Sequence, residues 1–179
     1  MFIALCMPNC AVEGALRAGR EGHSQPVGLL DDEQAKATIM EVTPVAAKAG
    51  VQGGMTASQG LARCLSLTIK SRARAQEKIA GEILLQHAAS LAPEIEATGP
   101  GLCTVRLTGR RNGRENVERV VRQLAALELT AQAGLAGTPD LSFLAACLAR
   151  PVLEVGDAKE FLGPLPIETL RFLKVRRDA

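Results

Sequence analysis

Only four aromatic side chains, all phenylalanine, are available to fill a core in a chain of 179 residues; there is no Trp and no Tyr. With 47% apolar residues the chain can still bury a core, built from Leu, Val, Ile and a large share of Ala. The same shortage argues against modules that hold bases on stacked rings. A chain of this length suits one domain, or one domain with a small appendage, and buries roughly 70% of its unfolded surface. The apolar fraction excludes a disordered or solvating chain, and no repeat at a solenoid period interrupts it.

Charge is informative only locally. Twenty-one Lys and Arg against 19 Asp and Glu leave a formal +2, too little for strong non-specific steering toward nucleic acid. Three basic clusters stand out: Lys70, Arg72 and Arg74; Arg110, Arg111 and Arg114; and a tail with Arg171, Lys174, Arg176 and Arg177. Such clusters are more often solvated faces than ligand sites.

The five cysteines, Cys6, Cys10, Cys64, Cys103 and Cys147, are odd in number, scattered and set mostly among apolar residues. That pattern is not a secreted disulfide framework. With only His23 and His87 in the chain, a metal cage around Cys6 and Cys10 has too few donors. Free thiols in a reducing cytoplasm are the expectation. The apolar start, Met1 to Met7, is too short to span a membrane and lacks a basic leader, so a soluble protein with no membrane partner is expected.

Periodicity gives the element order. Phe2–Met7 reads as a buried strand stopped by Pro8 and Asn9, and Cys10–Arg20 as a helix. Strands are predicted over Pro26–Leu30, Lys36–Val42 and Leu65–Ile69. Between the last two, Thr43-Pro44 opens a short helix ended by Gly50, and Thr56 caps another running to Arg63. The longest helix, about Ser71 to Ser90, carries Ile79, Ile83, Leu84 and His87 on one side; His87 reads as a satisfied core histidine rather than a ligand. Strands at Glu94–Ala97 and Cys103–Leu107 flank a Thr98–Gly101 turn. Then come a helix over Arg114–Leu127 with Val117, Val120, Val121 and Leu124 as its stripe, a strand at Thr130–Leu135, and a helix from Thr138 to Ala149. Pro151–Val155 is extended, and Asp157 begins a short last helix.

This order predicts an α+β fold: a ferredoxin-like βαββαβ-type sheet with helices on one face, interrupted by a smaller α/β insert. The first part takes residues 1–22 and 71–170, the insert 23–70, and 171–179 is a basic tail or the start of a further domain.

Four phrases in this order resemble the palm and fingers of Y-family DNA polymerases, the translesion enzymes. They are Ala4-Leu5-Cys6-Met7-Pro8-Asn9; Ala46 to Thr56 with its Ala-Gly-Val and Gly-Met pairs; Val105-Arg106-Leu107-Thr108-Gly109; and Ala133 to Pro139 with Phe143–Ala146 and Ala149-Arg150-Pro151. The first phrase is most similar to the non-catalytic ImuB-like branch. The resemblance implies a palm interrupted by fingers, and two divalent ions about 3.5–4 Å apart held by converging carboxylates. The acid positions it implies fall on Met7, Gly101 and Leu102, with Asn9 at a supporting position and Arg106 in place of the strand's own acid. Hard ions need oxygen ligands, so no metal, cofactor or catalytic residue is expected here. Glu94 and Glu96, roughly 6–7 Å apart on one face of a strand, read as solvent-facing acids. The fingers positions that would offer a Tyr and an Arg to a triphosphate fall on Pro44 and Ala47; Arg150 stands where the family has a triphosphate-contacting Lys. An Arg makes good phosphate contacts, yet a cation at a helix C-terminus is also favoured by the helix dipole.

The family continues into a thumb and a little finger, and Leu165–Leu170 resembles the start of that thumb. Either the chain is a piece of a longer protein or it is a short natural form. The expectation is a protein that is not an enzyme: a pseudo-polymerase scaffold in translesion synthesis, SOS mutagenesis and DNA repair. Its partners would be other mutasome or polymerase proteins, a sliding clamp and, weakly, DNA held through Lys70, Arg72, Arg74, Arg110, Arg111 and Arg114 by phosphate neutralisation. The alternatives are a residual metal-dependent nucleotidyltransferase and a protein-interaction module with no DNA role.

Overall fold

A computed structural model describes residues 1–19, 24–30, 37–108 and 113–170. The chain divides into two compact units: Met1–Pro8 with the residues from Gly81 onward, and Asn9–Ala80. The second boundary falls inside a helix.

In the first unit, β1 (Phe2–Cys6) runs antiparallel between β6 (Leu102–Arg106) and β7 (Gln132–Ala136). With β5 (Ile95–Gly99) and β8 (Val152–Glu154) outside them, the sheet order is β5-β6-β1-β7-β8, and β8 lies parallel to β7. Without β8 this is the strand order of a ferredoxin-like βαββαβ layer, so the α+β expectation stands. Successive residues of a strand point to opposite faces. Ile3, Leu5, Cys103, Val105, Ala133 and Leu135 share one face and are fully buried. Helix α5 (Gly113–Ala126) begins on that face, where a Cβ on Gly113 would lie 3.9 Å from Leu135 Cδ2. Ala4, Leu102 and Gly134 look the other way. There α6 (Pro139–Leu148) packs through Phe143 and Ala146. Helices on one face therefore describe the βαββαβ part only; α6 covers the opposite side. It can do so because Gly134 has no side chain: a Cβ there would collide with the Ser142 carbonyl and the Ala146 amide. The short α7 (Ala158–Leu162) is capped by Asp157, whose Oδ1 accepts from the Glu160 N–H at 2.8 Å, and brings Phe161 against Ala136, Ala145 and Val155.

In the second unit, β2 (Val27–Leu30) pairs antiparallel with β3 (Ile39–Val42) and parallel with β4 (Thr68–Ser71), in the order β3-β2-β4. Helix α1 (Cys10–Gly19) lays Ala11, Val12, Ala15 and Leu16 on Val27 and Leu29. The core around Ile39, Ala46, Val51, Cys64 and Leu67 draws in α2 (Pro44–Lys48) and the end of α3 (Ala57–Arg63). Thr43 is fully buried and caps α2, and its Oγ1 also accepts from the Val27 N–H at 3.0 Å, tying cap to strand. Thr56 and Gln59 form a reciprocal capping box on α3.

Three local expectations shift. The strand expected at Leu65–Ile69 starts at Thr68, because Leu65-Ser66 is a turn and Thr68 is the first residue to pair with β2, its N–H donating to the Pro26 carbonyl at 2.9 Å. Helix α4 (Arg74–Ala88) consequently starts three residues late. Its buried residues are Glu77, Ala80, Leu84 and Ala88, whereas Ile79 is exposed. His87 is half-buried, with Nδ1 2.9 Å from the Ile83 carbonyl, a satisfied ring as expected. The expected strand start at Lys36, His23 and the 171–179 tail lie outside the described residues. No helix among the described residues is long and apolar enough to cross a membrane.

Candidate functional site

The acid positions implied by the resemblance meet at one end of the first unit's sheet. The Cys6↔Leu102 pair closes the β1–β6 ladder, and one residue further the Met7 N–H donates to the Gly101 carbonyl at 2.8 Å. Gly101 makes the turn possible with φ of +65°, and α4 passes close by: a Cβ on Gly81 would be 4.0 Å from the Gly101 nitrogen. Met7 and Leu102 are buried. A thioether, a glycine and an aliphatic side chain do not fit a divalent ion that demands hard oxygen ligands. Among the described residues no group of three or more His, Cys, Asp or Glu is placed to hold a metal ion. Glu94 and Glu96 are exposed as expected, Glu94 beside Arg106 with Oε2 3.4 Å from Nη1.

The basic residues divide between the units. Arg114, exposed on the first turn of α5, donates to Glu118 Oε1 at 2.9 Å in an i,i+4 pair. Arg150 is exposed just past α6, and its Nη1 donates to the Ala149 carbonyl at 2.6 Å. Arg110 and Arg111 lie outside the described residues. In the second unit Lys70 is half-buried on β4 and Arg74 exposed at the start of α4. Pro44 and Ala47, the fingers positions, are exposed on α2.

Arg72 has an internal role. Its Nε and Nη2 both donate to Glu77 at 2.8 Å, a fork-on-carboxylate pair whose acid is only 7% exposed. Two further acids, Glu13 and Glu41, gather at the same place. Glu41 Oε2 accepts from the Val12 N–H at 3.0 Å, on the first turn of α1, where the helix dipole favours an anion. Burial nevertheless pushes the Glu41 carboxyl above its ordinary range, with the Glu77 charge adding to the shift. The thiol of Cys10, whose Sγ lies 4.0 Å from the Glu77 carbonyl, is pushed up to about 11 by burial and then by Glu77, Glu41 and Glu13. Such a thiol stays protonated and is no nucleophile. The cluster ties α1, β3 and the start of α4 together, at a place where a Cβ on Gly14 would lie 2.8 Å from the Glu77 nitrogen. Sequence reasoning passed over it. The available signal was Glu13 and Glu77 standing inside apolar helical stripes.

The impB/mucB/samB family profile matches residues 10–147. Among solved structures, the chain is similar to an insertion ternary complex of Dbh DNA polymerase, with 16% identity, a TM-score of 0.78, and 94% of this chain covering 53% of that one. A post-insertion binary complex of Dbh DNA polymerase matches at 17% identity and a TM-score of 0.79, with 94% and 52% covered. DinB from Sulfolobus solfataricus matches at 16% identity and a TM-score of 0.74, with 94% and 53% covered. The chain thus spans about half the length of these structures. A comparison with curated proteins gives no match. The expectation that the chain is not an enzyme is overturned by these relationships: family and neighbours are DNA polymerases. With the profile covering well over half of its residues and the palm-type sheet built as described, the chain belongs to the impB/mucB/samB family of Y-family polymerases.

Proposed function

We propose that the chain is the palm and fingers portion of a translesion DNA polymerase-related protein of the ImuB-like branch. In this reading residues 1–22 and 71–170 form the palm and 23–70 the fingers. Its role is that of a scaffold in SOS mutagenesis and DNA repair, bringing other polymerase proteins and a sliding clamp to damaged DNA. The observation that carries it is the β5-β6-β1-β7-β8 sheet, which aligns with the Dbh polymerase complexes over 94% of this chain. Contacts to DNA come from Lys70, Arg74, Arg110, Arg111 and Arg114, with Arg150 as a further phosphate contact; Arg72, expected among them, is engaged with Glu77 instead. These contacts act by sequence-independent phosphate neutralisation.

A second reading, nucleotidyl transfer by the whole protein, is favoured by the same neighbours, which are DNA polymerases in insertion and post-insertion complexes. One experiment addresses both. Binding of a labelled primer–template is followed by fluorescence anisotropy from low to physiological salt, then magnesium and nucleotides are added. The scaffold reading expects affinity falling with a log–log slope of about −0.9 per neutralised phosphate. Lys70→Glu and Arg74→Glu should each weaken binding uniformly across sequences. A flat salt response with no affinity rejects it in favour of a protein-only module, and primer extension moves the conclusion to the second reading.

A further inference from the structure

The second unit carries a surface that DNA contact does not account for. Between Glu41 and Glu77 the sequence has no acidic residue at all, while Lys48, Arg63, Lys70, Arg72 and Arg74 fall inside the interval. Lys48 ends α2 and Arg63 ends α3, both exposed. The Arg63 side chain reaches back to the end of α2: a Cβ on Gly50, two residues past Lys48, would lie 3.6 Å from Arg63 Nη1. Neither cation has an ion pair or side-chain hydrogen bond among the described residues. Beside them stand apolar side chains that the fold leaves outside, Leu65 at 93% exposure, Leu61 at 39% and Val45 at 36%. Single exposed leucines are ordinary. Two exposed leucines stand on either side of Arg63 in sequence, Leu61 on α3 and Leu65 on the turn after it, outside the core that α2 and α3 share, and with Lys48 and Val45 they make a mixed apolar and cationic surface.

We propose that this patch is the docking surface for an acidic amphipathic helix of a partner protein. Leu61, Leu65 and Val45 would meet the helix's apolar stripe, and Lys48 and Arg63 the carboxylates beside it. Charge complementarity selects an acidic partner, since Lys48 and Arg63 stand exposed in a stretch with no acidic residue. The aliphatic character selects protein over nucleic acid, because no aromatic ring lies in the interval for a base to stack on.

The test uses the full chain and a fluorescein-labelled synthetic peptide with leucines at i, i+3, i+4 and i+7 and glutamates between, read by anisotropy. The expected result is salt-sensitive binding, weakened roughly tenfold by Leu65→Glu and by Arg63→Glu, each tenfold being about 1.4 kcal/mol. A scrambled peptide of the same composition should bind roughly tenfold more weakly. Both substitutions are at exposed positions, and an unchanged circular dichroism spectrum and melting temperature confirm folding. Failure to bind, equal binding of the scrambled peptide, or indifference to both substitutions overturns the proposal. So does displacement of the peptide by oligothymidylate that is itself weakened by Leu65→Glu, which would assign the patch to nucleic acid.

Discussion

The Met7 N–H donates to the Gly101 carbonyl at 2.8 Å, joining the end of β1 to the turn before β6. Residues far apart in sequence thereby meet, and the meeting is made by backbone. Gly101 sustains it with φ of +65°, a conformation that favours glycine. Gly101→Ala is expected to destabilise the chain by about 1 kcal/mol, read as a lower urea midpoint with an unchanged slope.

Gly134 and Gly137 provide an internal contrast. A Cβ on Gly134 would run into the backbone of α6, with the Ala145 carbonyl carbon at 2.8 Å, whereas nothing lies within 4 Å of one on Gly137. Gly134→Ala should cost about 3 kcal/mol, because a helix backbone cannot step aside as a flexible side chain can. Gly137→Ala should stay within about 0.5 kcal/mol, both read by thermal melting.

Removing Arg72 leaves Glu77 buried with its principal guanidinium partner gone. Arg72→Ala is expected to cost about 3 kcal/mol, and Arg72→Lys less, since an ammonium keeps the charge but cannot reproduce the fork. Urea denaturation followed by circular dichroism measures both.

The raised Glu41 carboxyl has a pH signature. A carboxyl held above its unfolded value binds more protons in the folded state, so stability falls as pH rises through the window between the two. The window opens at the ordinary glutamate value of 4.5 and extends upward, because burial outweighs the hydrogen bond that the Val12 N–H donates to the carboxylate. Stability against pH should therefore decline across that window in the native chain. Glu41→Gln should flatten this component of the curve.

Burial pushes the thiols of Cys10 and Cys103 up to about 11 and about 12. At pH 8 both are expected to resist iodoacetamide in the folded chain and to react in urea, with mass spectrometry locating the labelled residues.

The sequence legibly carried whatever depends on neighbours a few residues away. Val117, Val120, Val121 and Leu124 recur at helical spacing and are the buried side of α5, because a helix turns at a fixed rate. Thr43, Thr56, Thr138 and Asp157 announce helix starts that they do cap, since capping is a local hydrogen bond. Order of elements and α+β class follow from the same short-range information.

Tertiary structure decided the rest. Gly134 looks like any glycine in a strand until α6 is set against it, which puts a helix on the second face of the sheet. Ile79 fits an apolar stripe by spacing, yet the rotation of α4 gives the inner side to Glu77, because Arg72 and the glycine at position 14 make room for a carboxylate there. Few aromatic rings meant a core of small side chains, and small side chains let backbones approach closely. How closely, and around which buried charges, is settled only when elements distant in sequence come into contact.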